Sequence, residues 1–156
     1  MISNKEVTRN ALIAEDCDED FSFFSKAVDK ISVKVILSRA EDGEILIQLL
    51  NDLKINPDVL FLDLLLPMKD GRECLKHIRK NKKFDFMPIV IYSNPKEYES
   101  VEFCYRESAN LFVFKPNNAE ELVIMLERIF ALEWNKLMYY PPIDKFLLNS
   151  QYTLSI

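Results

Sequence analysis

Glycine is scarce: Gly43 and Gly71 are the two in a chain of 156 residues. A Gly-rich loop that cradles phosphates with its backbone is therefore excluded. Cysteine is scarce as well. Cys17, Cys74 and Cys104 are odd in number, lie far apart and form no C-x-x-C pair. That favours reduced thiols over a disulfide framework and points to a cytoplasmic setting. Positive charge is in deficit, with 20 Lys and Arg against 25 Asp and Glu and a net charge of −5. Such a balance offers no electrostatic footprint for nucleic acid and no polybasic membrane patch. Apolar runs are short, and none approaches the roughly 20 residues that span a bilayer. The opening stretch MISNKEVTRNALIAEDCDED breaks off in acids where a signal peptide keeps its apolar core, so neither export nor membrane anchoring is expected. Internal repeats, low-complexity tracts and long linkers are also missing.

At 49% hydrophobic content, the chain carries enough apolar side chains for one sizeable core and one domain. Short runs rich in β-branched or aromatic residues recur along it: ALIA (11–14), VKVIL (33–37), DVLFL (58–62), PIVIY (88–92) and LFVF (111–114). Between and after them the apolar residues take the helical period, at Phe24, Val28 and Ile31; Ile45, Leu49 and Leu53; Leu75 and Ile78; Val101, Cys104 and Tyr105; and Leu122, Met125, Ile129 and Leu132. Strands that are apolar without a break are buried on both faces. With helical crossovers they make an α/β fold, a doubly wound five-stranded parallel sheet flanked by five helices, of the flavodoxin-like type.

In such a sheet, chemistry collects at the carboxyl ends of the strands. Four of those ends carry a reactive or charged group. The first run leads into EDCDED (15–20), the third ends at Asp63, the fourth at Ser93, and the fifth at Lys115 followed by Pro116. Taken alone, Asp63 reads as a turn or capping aspartate. Yet it closes the buried-strand pattern of DVLFLDLLLPMKDG and precedes three leucines that offer no hydrogen bond, so its desolvation needs compensation. Glu15, Asp16 and Asp63 bring negative charges together that repel unless a cation sits among them. Mg2+ suits an all-oxygen site, with the backbone carbonyl of Leu65 as a further ligand and a phosphate oxygen to complete the set. Asp63 is then a candidate nucleophile toward phosphorus, Lys115 offsets charge, and Ser93 donates to a phosphoryl oxygen.

ALIAEDCDED, DVLFLDLLLPMKDG, PIVIYS and ANLFVFKP, in this order and each at a strand end, resemble a response-regulator receiver domain over roughly residues 9–130. The resemblance implies Asp63 as phosphoacceptor, Glu15 and Asp16 as metal-binding acids, Ser93 as switch hydroxyl, Lys115 as the phosphate-facing lysine and Phe112 as switch aromatic. It also implies a cis bond at Lys115–Pro116. The expected partners are a sensor histidine kinase or a histidine phosphotransfer protein upstream and a protein downstream, with a second copy of the chain as a further candidate. The chain would catalyse only its own phosphoryl acceptance and loss, and so would not be an enzyme in the ordinary sense.

Other features read as structural. Asp18, Glu19 and Asp20 suit the first turn of a helix, where the dipole favours acids, with Asp18 as a cap. Asp70-Gly71 reads as a turn before a helix, and His77, among Lys76, Arg79 and Lys80, as part of a solvated helix face. Cys74 and Cys104 fall on core faces. Leu65 and Pro95, two residues after Asp63 and Ser93, are apolar where relatives often carry polar residues, so they are expected to limit the reset of the phosphorylated state. A haloacid-dehalogenase phosphatase would need an acid at Leu65. A phosphorylation-independent pseudo-receiver that serves as a docking module is the stronger alternative, but it predicts decay of the acidic pair, Asp63, Ser93 or Lys115, and all are present. Residues 1–130 form the expected receiver domain and 131–156 a C-terminal extension. Its LMYYPPIDKFLL stretch (137–148) is too apolar for a free solvated end, so it is expected to dock on the domain or a partner.

Overall fold

In the computed structural model, which describes residues 6–52, 56–132, 134 and 141–148, the five apolar runs lie side by side as parallel strands. They are β1 (Thr8–Ala14), β2 (Lys34–Ala40), β3 (Val59–Leu62), β4 (Ile89–Ser93) and β5 (Leu111–Phe114). The helices α1 (Asp18–Val28), α2 (Gly43–Asn51), α3 (Gly71–Lys80), α4 (Val101–Arg106) and α5 (Ala119–Ala131) connect or follow them. A helical turn α6 (Ile143–Phe146) leads into a short strand β6 (Leu147–Leu148), and the sheet order is β2-β1-β3-β4-β5-β6. The fold is the expected doubly wound α/β sheet with one strand more than the sequence predicts. Two residues carry no readable period, and β6 exists through its parallel pairing with β5, Phe112 opposite Leu147 and Val113 opposite Leu148. Leu53, Leu137, Met138, Tyr139 and Tyr140 lie outside the described residues.

Alternation along the strands sorts the core into two layers. Leu60, Leu62, Ile89, Ile91 and Phe112 face one side with Leu46, Leu75 and Cys104 of the helices. Val59, Phe61, Val90, Tyr92 and Val113 face the other with Phe24, Leu122 and Met125, where Phe24 meets Phe61 and Tyr92 edge-on at 4.9 and 5.1 Å. Burial on both faces holds for β3 and β4 but fails for β2, which lies at the sheet edge and leaves Ile36 exposed. The peptide bond before Pro116 is trans, against the expected cis isomer. The intrinsic preference of X–Pro for trans, about 0.5–1 kcal/mol, prevails there. Cys17 is exposed and Cys74 and Cys104 are buried; all three are free thiols. Burial pushes the two buried thiols up, to about 11 at Cys74 and about 12 at Cys104.

Asp42, Asp70 and Asn118 cap α2, α3 and α5 by accepting from the N–H groups of Ile45, Arg72 and Glu121. Asp18 does not cap α1 as expected: the helix begins at Asp18, and the preceding Cys17 makes no side-chain cap bond. Both glycines serve the loop after β3. A Cβ at Gly43 would stand 1.9 Å from the Lys69 carbonyl oxygen, and one at Gly71 would stand 2.1 Å from that of Asp63. The loop therefore packs backbone against backbone, with Gly71 N–H donating to Leu64 O at 2.9 Å and Met68 held at a φ of 67°. Gly71→Ala would push α3 off the Asp63 backbone. It is expected to lower stability by about 1–3 kcal/mol, read as an earlier midpoint of urea unfolding.

Candidate functional site

Parallel pairing in register brings the ends of β1, β3, β4 and β5 to one edge of the sheet, and with them Glu15, Asp63, Ser93 and Lys115. Glu15, Asp63 and Ser93 are 1%, 4% and 0% exposed, an unusual depth for two acids. Asp63 Oδ1 accepts from the Ser93 hydroxyl at 3.0 Å and from the Leu65 N–H at 3.1 Å, while Oδ2 accepts from Lys115 Nζ at 2.7 Å. Glu15 Oε2 lies 2.7 Å from the same ammonium but out of hydrogen-bonding alignment, so this buried oxygen has no donor. Asp20 Oδ2 is 2.9 Å from Lys115 Nζ.

One cation thus stands among three carboxylates. Burial is the main cause that pushes the Glu15 carboxyl up to about 7; the contact with Lys115 works against it and the neighbouring charge of Asp63 adds to it. Burial alone would lower the Lys115 ammonium, but its hydrogen bond to Asp63 and its close contact with the Glu15 carboxylate hold it above the ordinary lysine range. Asp16 is exposed, yet it offers a carboxylate oxygen within 4.8 Å of those from Glu15 and Asp63. Three acid oxygens in that space, one of them a buried orphan, suit a hard divalent cation that takes oxygen ligands. The residues present therefore fit the metal expected from the sequence.

The site residues read from the sequence converge, with two exceptions. Leu65 takes part through its backbone, while its side chain is 52% exposed. Pro95 is exposed at the start of a 3-10 segment (Pro95–Ser100). Phe112 is fully buried. Asp20 departs from the expected purely structural role: as the third residue of α1 it points a carboxylate at Lys115. His77 is exposed, as expected, with Nδ1 3.1 Å from Lys69 Nζ.

Two arginines belong to the site that sequence reasoning passed over. Arg39, at the end of β2, donates to the carbonyls of Glu15 at 3.0 Å and Asp16 at 3.2 Å. It also pairs with Asp18 at 2.8 Å and lies over the Phe21 ring at 4.6 Å. Its fork shapes the acidic loop from behind. Arg72 in the first turn of α3 donates to Ser100 Oγ and pairs with Glu97 and Asp70, tying the segment after β4 to the loop after β3. An acid-lined strand end opposite an arginine-tipped neighbouring strand is the signal that could have found Arg39.

Comparison with known proteins agrees with this geometry. The description "response regulator receiver domain" matches residues 11–127. The chain belongs to the response regulator receiver domain family. Response regulator Rcp1 of Synechocystis sp. is 33% identical over 73 residues, 47% of this chain and 50% of that protein. Sensory transduction protein LytT of Oceanobacillus iheyensis is 30% identical over 115 residues, 74% of this chain and 45% of that protein. The chain thus spans about half the length of these curated relatives. Among solved structures, the phosphorylated cyanobacterial phytochrome response regulator RcpA superposes with a TM-score of 0.72 at 24% identity, covering 79% of this chain and 91% of that one. The Mn2+-bound form of Rcp1 gives 0.70 at 24% identity, covering 86% and 99%. At that identity the likeness establishes the fold. No helix among the described residues is long and apolar enough to cross a membrane.

This receiver domain depends on Lys115 for charge compensation. Lys115→Gln would leave Glu15 and Asp63 buried side by side with no cation between them. A loss of about 3 kcal/mol is expected for the metal-free protein, measured by urea unfolding at neutral pH.

Proposed function

We propose that the chain is a response-regulator receiver that accepts a phosphoryl group on Asp63, with Mg2+, from a histidine kinase or a histidine phosphotransfer protein, and signals through a protein-binding surface that changes with phosphorylation. The observation that carries this reading is the buried Asp63 carboxylate, with Ser93 and the Leu65 N–H on one oxygen and Lys115 on the other. Glu15, Asp16, Asp63 and the Leu65 carbonyl would hold the ion, which supplies positive charge against the incoming phosphoryl oxygens. That a Mn2+-bound form of Rcp1 is a structural neighbour supports a divalent ion.

In the transfer, an Asp63 carboxylate oxygen forms a bond to phosphorus while the donor's bond to phosphorus breaks, and the electron pair leaves with the donor. Catalysis of such a step is mostly positioning and charge stabilisation. Lys115 pairs with a phosphoryl oxygen once Asp63 no longer presents a full carboxylate. The Ser93 hydroxyl turns from Asp63 Oδ1 to another phosphoryl oxygen. Modification replaces one carboxylate charge by about two on the phosphoryl group, a net gain of about one negative charge where one cation now serves three acids, so the neighbourhood of Ser93 and Phe112 is expected to rearrange. The partner surface is the α4–β5–α5 side of the domain, together with the C-terminal segment that lies along the edge of β5. A cytoplasmic setting agrees with the free cysteines.

Incubation with acetyl phosphate and Mg2+ is expected to add one phosphoryl mass to the intact chain, and Asp63→Asn to add none. No gain in the wild type, or a gain that survives in Asp63→Asn, rejects the acceptor reading in favour of a docking module that works without phosphate. Loss of the group is expected to be slow, because neither Leu65 nor Pro95 can hydrogen-bond an attacking water. Radiolabel release from Leu65→Asn combined with Pro95→Glu should outpace the wild type; equal rates would remove any role for the two residues in reset.

A further inference from the structure

α4 is six residues long, whereas α1 and α5 run to eleven and thirteen. β5 is the last of the five predicted strands in the sheet, and the C-terminal segment closes its outer edge. β6 pairs with β5, and the preceding Phe146 is fully buried, with its ring 5.2 Å from Tyr105 of α4 and 6.4 Å from Phe112 of β5. Phe112 in turn meets Phe114 edge-on at 5.3 Å, and Tyr98 stacks on Phe114 at 6.2 Å. Phe114 lies opposite Ser93 in the β4–β5 register, and the Lys115 N–H that follows it donates to the Ser93 carbonyl at 2.8 Å. An unbroken row of aromatic side chains therefore runs from the C-terminal segment to the strand end that carries the hydroxyl on Asp63.

A buried aromatic ring walled on every side has one rotamer available. With Phe146 removed, Phe112 would face a void or water on its outer side and gain alternative settings. Phe114 and the end of β4 would lose the neighbour that fixes them. The Ser93 hydroxyl, at the end of that row, donates to Asp63 Oδ1 at 3.0 Å.

We infer that Phe146 is a positioning residue for the acceptor site: through Phe112 and Phe114 its ring holds Ser93 in the setting that receives a phosphoryl group. This rests on the acceptor reading above and adds to it a residue far outside the strand-end motifs. The C-terminal segment then primes acceptance, and by reciprocity occupation of Asp63 tightens the segment on β5.

The test uses the full chain titrated with beryllofluoride and Mg2+, followed by amide spectra of Ser93, Phe112 and Phe146. Phe146→Leu keeps apolar bulk at the position and with it the fold. It is expected to weaken beryllofluoride binding about fivefold to tenfold, the scale of one aromatic pair. Ile31→Ala, in the core layer on the other side of the sheet, lowers the melting temperature and is expected to leave affinity within about twofold, as distant sites act independently. In a Phe112→Leu background, Phe146→Leu should add no further loss. Equal affinity for Phe146→Leu and Ile31→Ala, or an undiminished effect in the Phe112→Leu background, overturns the inference. The ligand-free spectra decide separately: Ser93 and Phe114 resonances should move in Phe146→Leu, and unmoved resonances overturn it. If the wild type takes up no beryllofluoride, the acceptor reading falls, while the ligand-free comparison still decides whether Phe146 positions Ser93.

Discussion

Lys115 Nζ is the cation on which the strand-end site depends. It lies 2.7 Å from oxygens of both Glu15 and Asp63 and 2.9 Å from Asp20, which makes one ammonium for three acids, two of them buried. Burying two carboxylates at one sheet edge is costly, and the interaction that offsets the cost is incomplete by design of its charge count. The deficit is expressed as a Glu15 carboxyl pushed up to about 7 and as a buried oxygen without a donor. A region so built attracts further positive charge and resists further negative charge. Phosphoryl transfer to Asp63 would bring both at once, a cation to complete the set and a group that consumes the existing one.

Holding such a site open against its own repulsion requires rigid surroundings, and around the acids the chain supplies them through close backbone packing and two guanidinium forks. Both glycines press helix starts against the loop after β3, Gly71 on Asp63 itself. Arg39 fixes the two carbonyls of the acidic loop from the neighbouring strand, so Glu15 cannot retreat toward solvent without breaking that fork. Arg72 does the equivalent on the other side, with Ser100, Glu97 and Asp70 as its partners. Guanidinium suits both places because one planar group satisfies several acceptors in a fixed geometry.

The strands and their polar ends were legible because buried parallel strands are continuous apolar runs, and a polar residue that ends such a run stands out. Glu15, Asp63, Ser93 and Lys115 follow from that single feature. Asp20 was misread because the dipole of α1 is by itself a sufficient reason for an acid in its first turn, and only the three-dimensional approach of Lys115 adds the second one. Arg39 and Arg72 were invisible for a related reason: their partners lie 24 and 28 residues away, beyond any periodic signal. β6 was unreadable in another sense. Leu147 and Leu148 have no pattern of their own, and their pairing depends on the outer hydrogen-bonding edge that β5 presents.

The two sides of the sheet also differ in the length of the helices that cover them. On one side of the sheet α1 and α5, three to four turns each, seal a core built on Phe24, Phe61 and Tyr92. On the other, past β4, the chain runs through a 3-10 segment with non-helical geometry at Glu97 into the two turns of α4, held by Arg72 and by the rings of Phe146 and Phe112. Segments with few long regular hydrogen-bond ladders open at lower free energy than those within long helices. Under the proposed acceptor role, a change in charge at Asp63 would reach Ser93, one strand away, and meet beyond it the side of the sheet with the shorter α4, while the longer α1 and α5 would serve as the frame.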